Sequence, residues 1–147
     1  MKALFPMLLA FAAGMVMPLQ AALNGQLRGH LGSPYAAALV SFTAGMAVLA
    51  ALAVALRAPW PENPAAVPWW LWIAGGTLGA GYIVLSIVLP PLLGVALTFG
   101  LIVAGQLAVS LTLDHFGLLG FVEHAINPWR VLGAALIVAG VVLIRKF

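Results

Sequence analysis

Long apolar runs divided by sparse charges set the organisation of this chain. No Asp, Glu, Lys or Arg occurs between Lys2 and Arg28, or again between Arg28 and Arg57. Each interval suits one membrane-crossing helix, because the hydrocarbon core of a bilayer takes about 20 apolar residues in helical form. Pro59, Pro61, Pro64 and Pro68, with Glu62 and Asn63, make the stretch from Arg57 to Pro68 a loop. Proline removes a donor and pushes the residue before it out of the helical region. From Asn63 to Leu113 there is again no charge, which is too long for one span and right for two. The break falls at Pro90-Pro91 followed by Gly94, and so short a link predicts a tight antiparallel hairpin of the third and fourth helices. Asp114 to Pro128 forms the next connection, with its apolar start, His115 to Val122, available to extend the fourth helix. Asn127-Pro128 is a helix start signal, and Arg145-Lys146 closes the last helix. The predicted helices cover about 3–27, 34–56, 68–89, 92–113 and 129–145, in a single five-helix transmembrane domain over 1–147.

Composition supports this reading. The chain is 65% hydrophobic and 6% charged, against about 25% charged in soluble proteins, so it cannot cover a water-facing surface. The fold class is all-α integral membrane, multi-pass, in the cell (inner or plasma) membrane, with lipid as the first partner. Lys2, an apolar run and Ala21-Ala22 also resemble a secretory signal peptide. The run is long for a signal, Gln20 sits at the would-be cleavage point, and the rest of the chain is equally membrane-like, so the segment is read as a retained helix. The net charge of +3 comes from six basic residues spread along the chain, which fits headgroup anchoring rather than a nucleic-acid surface. With no cysteine there is no disulfide framework and no thiolate ligand or nucleophile.

The basic residues divide evenly. Five spans place Lys2, Arg57 and Arg130 on one side and Arg28, Arg145 and Lys146 on the other, leaving no excess for the positive-inside rule to read. Two readings stay open. Either copies insert both ways and pair as an antiparallel homodimer, reproducing the inverted repeat of many transporters, or this is not so, and the partner is a separate homologous chain or a subtle signal fixes one orientation.

No acid or base lies in the middle of any predicted helix. A carboxylate-centred proton exchange therefore has no obvious carrier, unless Asp114 reaches inward as a coupling or gating group. Uncharged polar residues recur at helical spacing instead. Gln20 and Asn24 share a face of the first helix, whereas Gln26 points elsewhere. Ser41 and Gly45 are four apart on the second helix. Gly75, Gly79, Tyr82 and Ser86 follow a three-to-four spacing on the third, and Gln106, Ser110 and Asp114 form one stripe on the fourth. An amide in hydrocarbon needs a partner, so Gln20, Asn24, Tyr82, Gln106 and Ser110 are the candidate substrate-binding set; helix-to-helix bonding is the competing role for each. Gly75-Gly76 with Gly79, and Gly133 with Gly140, suit close helix packing, with the short last helix the better dimer contact. Trp60, Trp69, Trp70 and Trp72 read as an interfacial belt or as an aromatic lid over a substrate. His30, His115 and His124 lie near helix ends without metal-ligand spacing, so no metal or other cofactor is expected. There is no phosphate loop, nucleophile elbow or midplane carboxylate pair, and the sequence makes no case for an enzyme.

Several segments carry a family resemblance: Gln20-Ala21-Ala22-Leu23-Asn24, Gly32-Ser33 leading to Ser41-Phe42-Thr43-Ala44-Gly45, Gly75-Gly76-Thr77-Leu78-Gly79-Ala80, Gly105-Gln106, Asp114-His115-Phe116-Gly117, and Arg130 to Gly133 with Gly140. Over essentially its whole length the chain resembles the YdcZ-like family, which is similar to the drug/metabolite transporter superfamily. That superfamily includes ten-helix exporters built from two inverted five-helix halves and four-helix multidrug exporters that dimerise. The resemblance implies half of such an inverted repeat, completed by a second copy or a sister chain and moving a small organic molecule. The four-helix exporters carry a glutamate in their first helix, where this chain offers Gln20 and Asn24. The rival readings are a non-transporting structural or accessory membrane subunit and a lipid-type flippase.

Overall fold

A computed structural model describes residues 4–147. Lys2, one of the six basic residues in the charge balance, lies outside the described residues. The helices are α1 (Leu4–Leu31), α2 (Pro34–Ala55), α3 (Trp69–Val88), the single turn α4 (Pro90–Leu93), α5 (Val95–Phe116) and α6 (Pro128–Lys146). Among the described residues, five segments are long and apolar enough to cross a membrane: α1, α2, α3 with α4 as Trp69–Leu93, α5 and α6. The chain is an all-α, five-span membrane protein.

Local chemistry sets the boundaries. α1 runs past Arg28 to Leu31, because a cation in the last turn complements the negative end of the helix rather than ending it. The stop comes from Gly32, whose φ is +69°, followed by Ser33, which caps α2 by accepting from the Ala36 amide at 3.3 Å with Pro34 in the first turn. α6 starts in the same way: the Asn127 side chain accepts from the Arg130 amide at 3.0 Å and Pro128 comes next. Pro90 and Pro91 do not break the chain direction themselves; they open the turn α4, and the break falls at Gly94, with φ 84° and ψ 151°, a conformation closed to residues with a side chain.

The chain forms two compact units, one containing α1, α2 and α3 and the other running from Leu89 to Phe147. In the first, Ala37 and Ala38 of α2 are buried with Ile83 and Ile87 of α3, and Leu27 of α1 packs against them. The two alanines let the isoleucines approach closely, and this is the dry centre of the unit. Farther along α2, a Cβ on Gly79 would stand 3.3 Å from Phe42 Cζ. These pairings run α2 antiparallel to α3.

In the second unit α5 packs on α6. The helices approach closely at Gly100, where a Cβ would stand 3.0 Å from Val141 Cγ2. The connection between them folds back on α5: the His124 amide donates to Asp114 O at 2.7 Å, the Ile126 amide donates to His115 Nδ1 at 3.2 Å, and Arg130 donates to His124 O at 2.5 Å. Outside these contacts the large apolar side chains are mostly exposed, as a lipid-facing surface requires. The charges among the described residues lie in loops or terminal turns.

Candidate functional site

The first unit carries an open-sided groove of about 580 Å³ between α1 and α2. Gln20 brings an amide to it from α1, Ser41 a hydroxyl from α2, and Phe42, Gly45, Met46 and Trp60 supply apolar walls. Gln20 reaches it because it lies one turn before Asn24 on the face of α1 that also carries the buried Ala21. Gly45 leaves the α2 side shallow. Trp60, in the loop after α2, leans on Trp72 of α3 with ring centroids 6.4 Å apart and planes tilted by 39°. This tilted stacking holds the indole against the groove. A largely apolar hollow with a few polar groups suits a small organic ligand.

Asn24 is 5% exposed, and its Nδ2 has no hydrogen-bond partner among the described residues. The helix hydroxyls behave differently. Thr43, Thr77 and Thr112 donate to the carbonyl one turn back at 2.8, 2.9 and 3.0 Å, and Ser86 donates to Ile83 O at 2.8 Å. A hydroxyl can satisfy itself on its own helix in lipid, whereas a longer amide needs a partner from elsewhere.

Of the other candidates, Tyr82 is half-buried on α3 and does not line this groove. Gln106 and Ser110 stand one turn apart on α5, both exposed. Asp114, one turn further on, pairs with Arg130. The two side chains are 33% and 29% exposed, and the pair ties the end of α5 to the first turn of α6. The Asp114-His115-Phe116-Gly117 segment thus has a structural meaning: Asp114 and His115 hold the returning loop, and Gly117, with φ +57°, ends α5 in a left-handed turn where a Cβ would stand 3.4 Å from Phe121 O.

Of the small-residue surfaces, Gly79 packs on Phe42, while Gly75, Gly76, Gly133 and Gly140 meet nothing within 4 Å. Two residues have roles that sequence reasoning missed. Pro18 lies inside α1, close to Gln20, and removes the amide that Gly14 O would have accepted; a proline between charge-free flanks was its visible signal. Arg28 donates to Ile87 O at 3.5 Å, a contact between helices that spacing along the chain does not disclose.

No curated protein and no solved structure matches the chain. The family described as "Putative inner membrane exporter, YdcZ" matches residues 5–143. With five spans and an amide-bearing groove between the first two, the chain is a multi-pass inner-membrane protein that belongs to this YdcZ exporter family.

Proposed function

We propose that the chain is half of an exporter for a small organic molecule, working with a second copy of itself or with a homologous chain. The observation that carries this reading is the groove beside Gln20, an amide and a hydroxyl set among apolar walls within the spans of a chain whose family is one of exporters. Gln20 hydrogen-bonds the cargo, with Asn24, Tyr82, Gln106 and Ser110 as further contributors. The exposure of Gln106 and Ser110 fits a partner or cargo being needed, since polar groups left facing hydrocarbon are costly. Gly133 and Gly140 on α6, where an added Cβ would meet nothing within 4 Å among the described residues, fit a contact with the second half. Rocking of one half against the other would supply alternating access. Asp114, paired with Arg130, acts in this scheme as a tether of the α5–α6 loop.

The test compares small molecules released into the medium by cells expressing the parent protein with those released by cells carrying Gln20→Ala, Asn24→Ala or Gln106→Ala at equal membrane abundance. The expected outcome is a set of released compounds that depends on the parent protein and falls at least about tenfold in the Gln20 variant, the effect of losing roughly 1.4 kcal/mol of cargo binding. Unchanged release from all three variants would remove the amides from the site.

A further inference from the structure

We propose that Asn24 and Arg28 form a receptor for an oxyanion, carboxylate or phosphate, beside the end of α3, carried by the exporter's cargo or by a lipid headgroup. The inference rests on the exporter reading for the word cargo, but not for the receptor.

The chemistry begins at Pro90 and Pro91. In an unbroken helix, Ser86 O and Ile87 O would accept from the amides of residues 90 and 91. Both are proline, so neither amide exists. The Ser86 hydroxyl cannot help, because it donates backwards to Ile83 O at 2.8 Å. One of the two carbonyls is served from outside its helix: Arg28 Nη1 of α1 donates to Ile87 O at 3.5 Å. That contact is long and takes one of the five donors of a guanidinium. It orients the side chain along the end of α3 while leaving most of its fork free.

Asn24 lies one turn before Arg28 on the same face of α1. It is 5% exposed, with Nδ2 unpartnered, and a buried donor in that state is expected to cost on the order of 1–3 kcal/mol. The other residues of α1 that are buried or packed into the core nearby, Ala21 and Leu27, are apolar. Among the described residues Arg28 forms no ion pair; the pair found joins Asp114 to Arg130, and Glu62 is the sole acid in the described part of the first unit.

The enclosed unpartnered atom on this face of α1 is thus a donor, and one turn on stands a cation. A ligand that fits them accepts hydrogen bonds and carries negative charge. A planar carboxylate or a phosphate meets both conditions, and the fork of arginine suits either. Such an oxyanion could come from a cargo molecule or from a lipid headgroup, since Arg28 stands in the last turn of a membrane-spanning helix.

The experiment uses the full chain in lipid nanodiscs, with the unfolding midpoint read from tryptophan fluorescence. In neutral phosphatidylcholine, potassium acetate or inorganic phosphate is titrated against potassium chloride at matched ionic strength. A second arm replaces part of the lipid with phosphatidylglycerol and adds no anion. We expect a saturable rise in midpoint beyond that given by chloride, abolished in Arg28→Gln. In Asn24→Leu the half-saturating concentration should rise about tenfold while the anion-free midpoint stays equal or increases, because an apolar side chain removes the orphan donor. A response to acetate or phosphate places the oxyanion on cargo; a response to phosphatidylglycerol alone places it on a headgroup; either supports the receptor. No saturable response in any arm, or one that survives both substitutions, overturns it. Export that continues with no anion response would sink this inference and leave the exporter reading standing. An anion response without any export would do the reverse.

Discussion

Two glycines make the same demand on their neighbours, and the neighbours differ in their ability to answer it. A Cβ on Gly100 would stand 3.0 Å from Val141 Cγ2, with Cγ1 at 3.7 Å and Cβ at 3.8 Å; a Cβ on Gly79 would stand 3.3 Å from Phe42 Cζ and 3.7 Å from Cε1. Carbon atoms prefer about 3.5–4.0 Å. The deficit at Gly100 is therefore about 0.5 Å or more, against about 0.2 Å at Gly79. Val141 is 7% exposed and β-branched, with no free direction, whereas Phe42 is 41% exposed and its ring can swing outward. Gly100→Ala should therefore carry an overpacking cost of about 1–3 kcal/mol, and Gly79→Ala a cost below about 0.5 kcal/mol. Both substitutions exchange glycine for alanine within a helix, so the propensity gain is common to both and cancels in the comparison. The predicted gap of at least about 0.5 kcal/mol is at least a roughly twofold difference in the unfolding equilibrium constant. It can be read from unfolding in mixed micelles of increasing sodium dodecyl sulfate, followed by tryptophan fluorescence. Adding Val141→Ala to Gly100→Ala should recover most of the loss, with a coupling above about 0.5 kcal/mol. Equal shifts for the two alanines, or no recovery in the double variant, would refute the reasoning.

Three other expectations are simpler to state. Asp114→Asn and Arg130→Gln should each speed hydrogen exchange in residues 117–127 while leaving any proton-driven component of export in place; loss of that component with the loop still protected would make Asp114 a coupling group instead. Pro18→Ala should raise the unfolding midpoint by restoring a donor to Gly14 O and should slow export, if the irregularity beside Gln20 serves transport; unchanged export would confine Pro18 to a structural role. Phe147→Cys gives the chain one thiol, and an impermeant thiol reagent applied to intact and to permeabilised cells reports where it lies. Labelling of roughly half the copies from outside would support an antiparallel homodimer, and all or none would exclude it and point to a parallel assembly or an oppositely oriented partner chain.

The five spans were legible because a bilayer reads length and hydropathy, both of which the sequence carries openly. Charge-free intervals and the Asn127-Pro128 start signal were enough to count them. The limits of the helices were harder to read. Arg28 looked like an end and is instead a last-turn residue, since the stop depends on the backbone of Gly32. The break read as Pro90-Pro91 followed by Gly94 narrows to Gly94, since the two prolines open a helical turn. Gln20 was visible as a candidate from chemistry alone, because an amide between two apolar runs stands out. The Arg28–Ile87 contact and the Asp114–Arg130 pair were not, since the first depends on how α1 is rotated against α3 and the second on a loop folding back. Both are facts of tertiary geometry between residues far apart in the chain.

The number of spans has one further consequence. Five is odd, so the two ends of this helical module emerge on opposite faces of the bilayer. Join one module directly to the next through a short tether, and the follower enters from the face where the leader finished, which turns it upside down without an additional crossing. A module with an even count would need an extra helix as a spacer to achieve the same inversion. An engineered concatemer of two of these chains, linked from Phe147 to the next Met1, is thereby committed to opposed orientations by arithmetic alone, whatever the residues at its interface prefer.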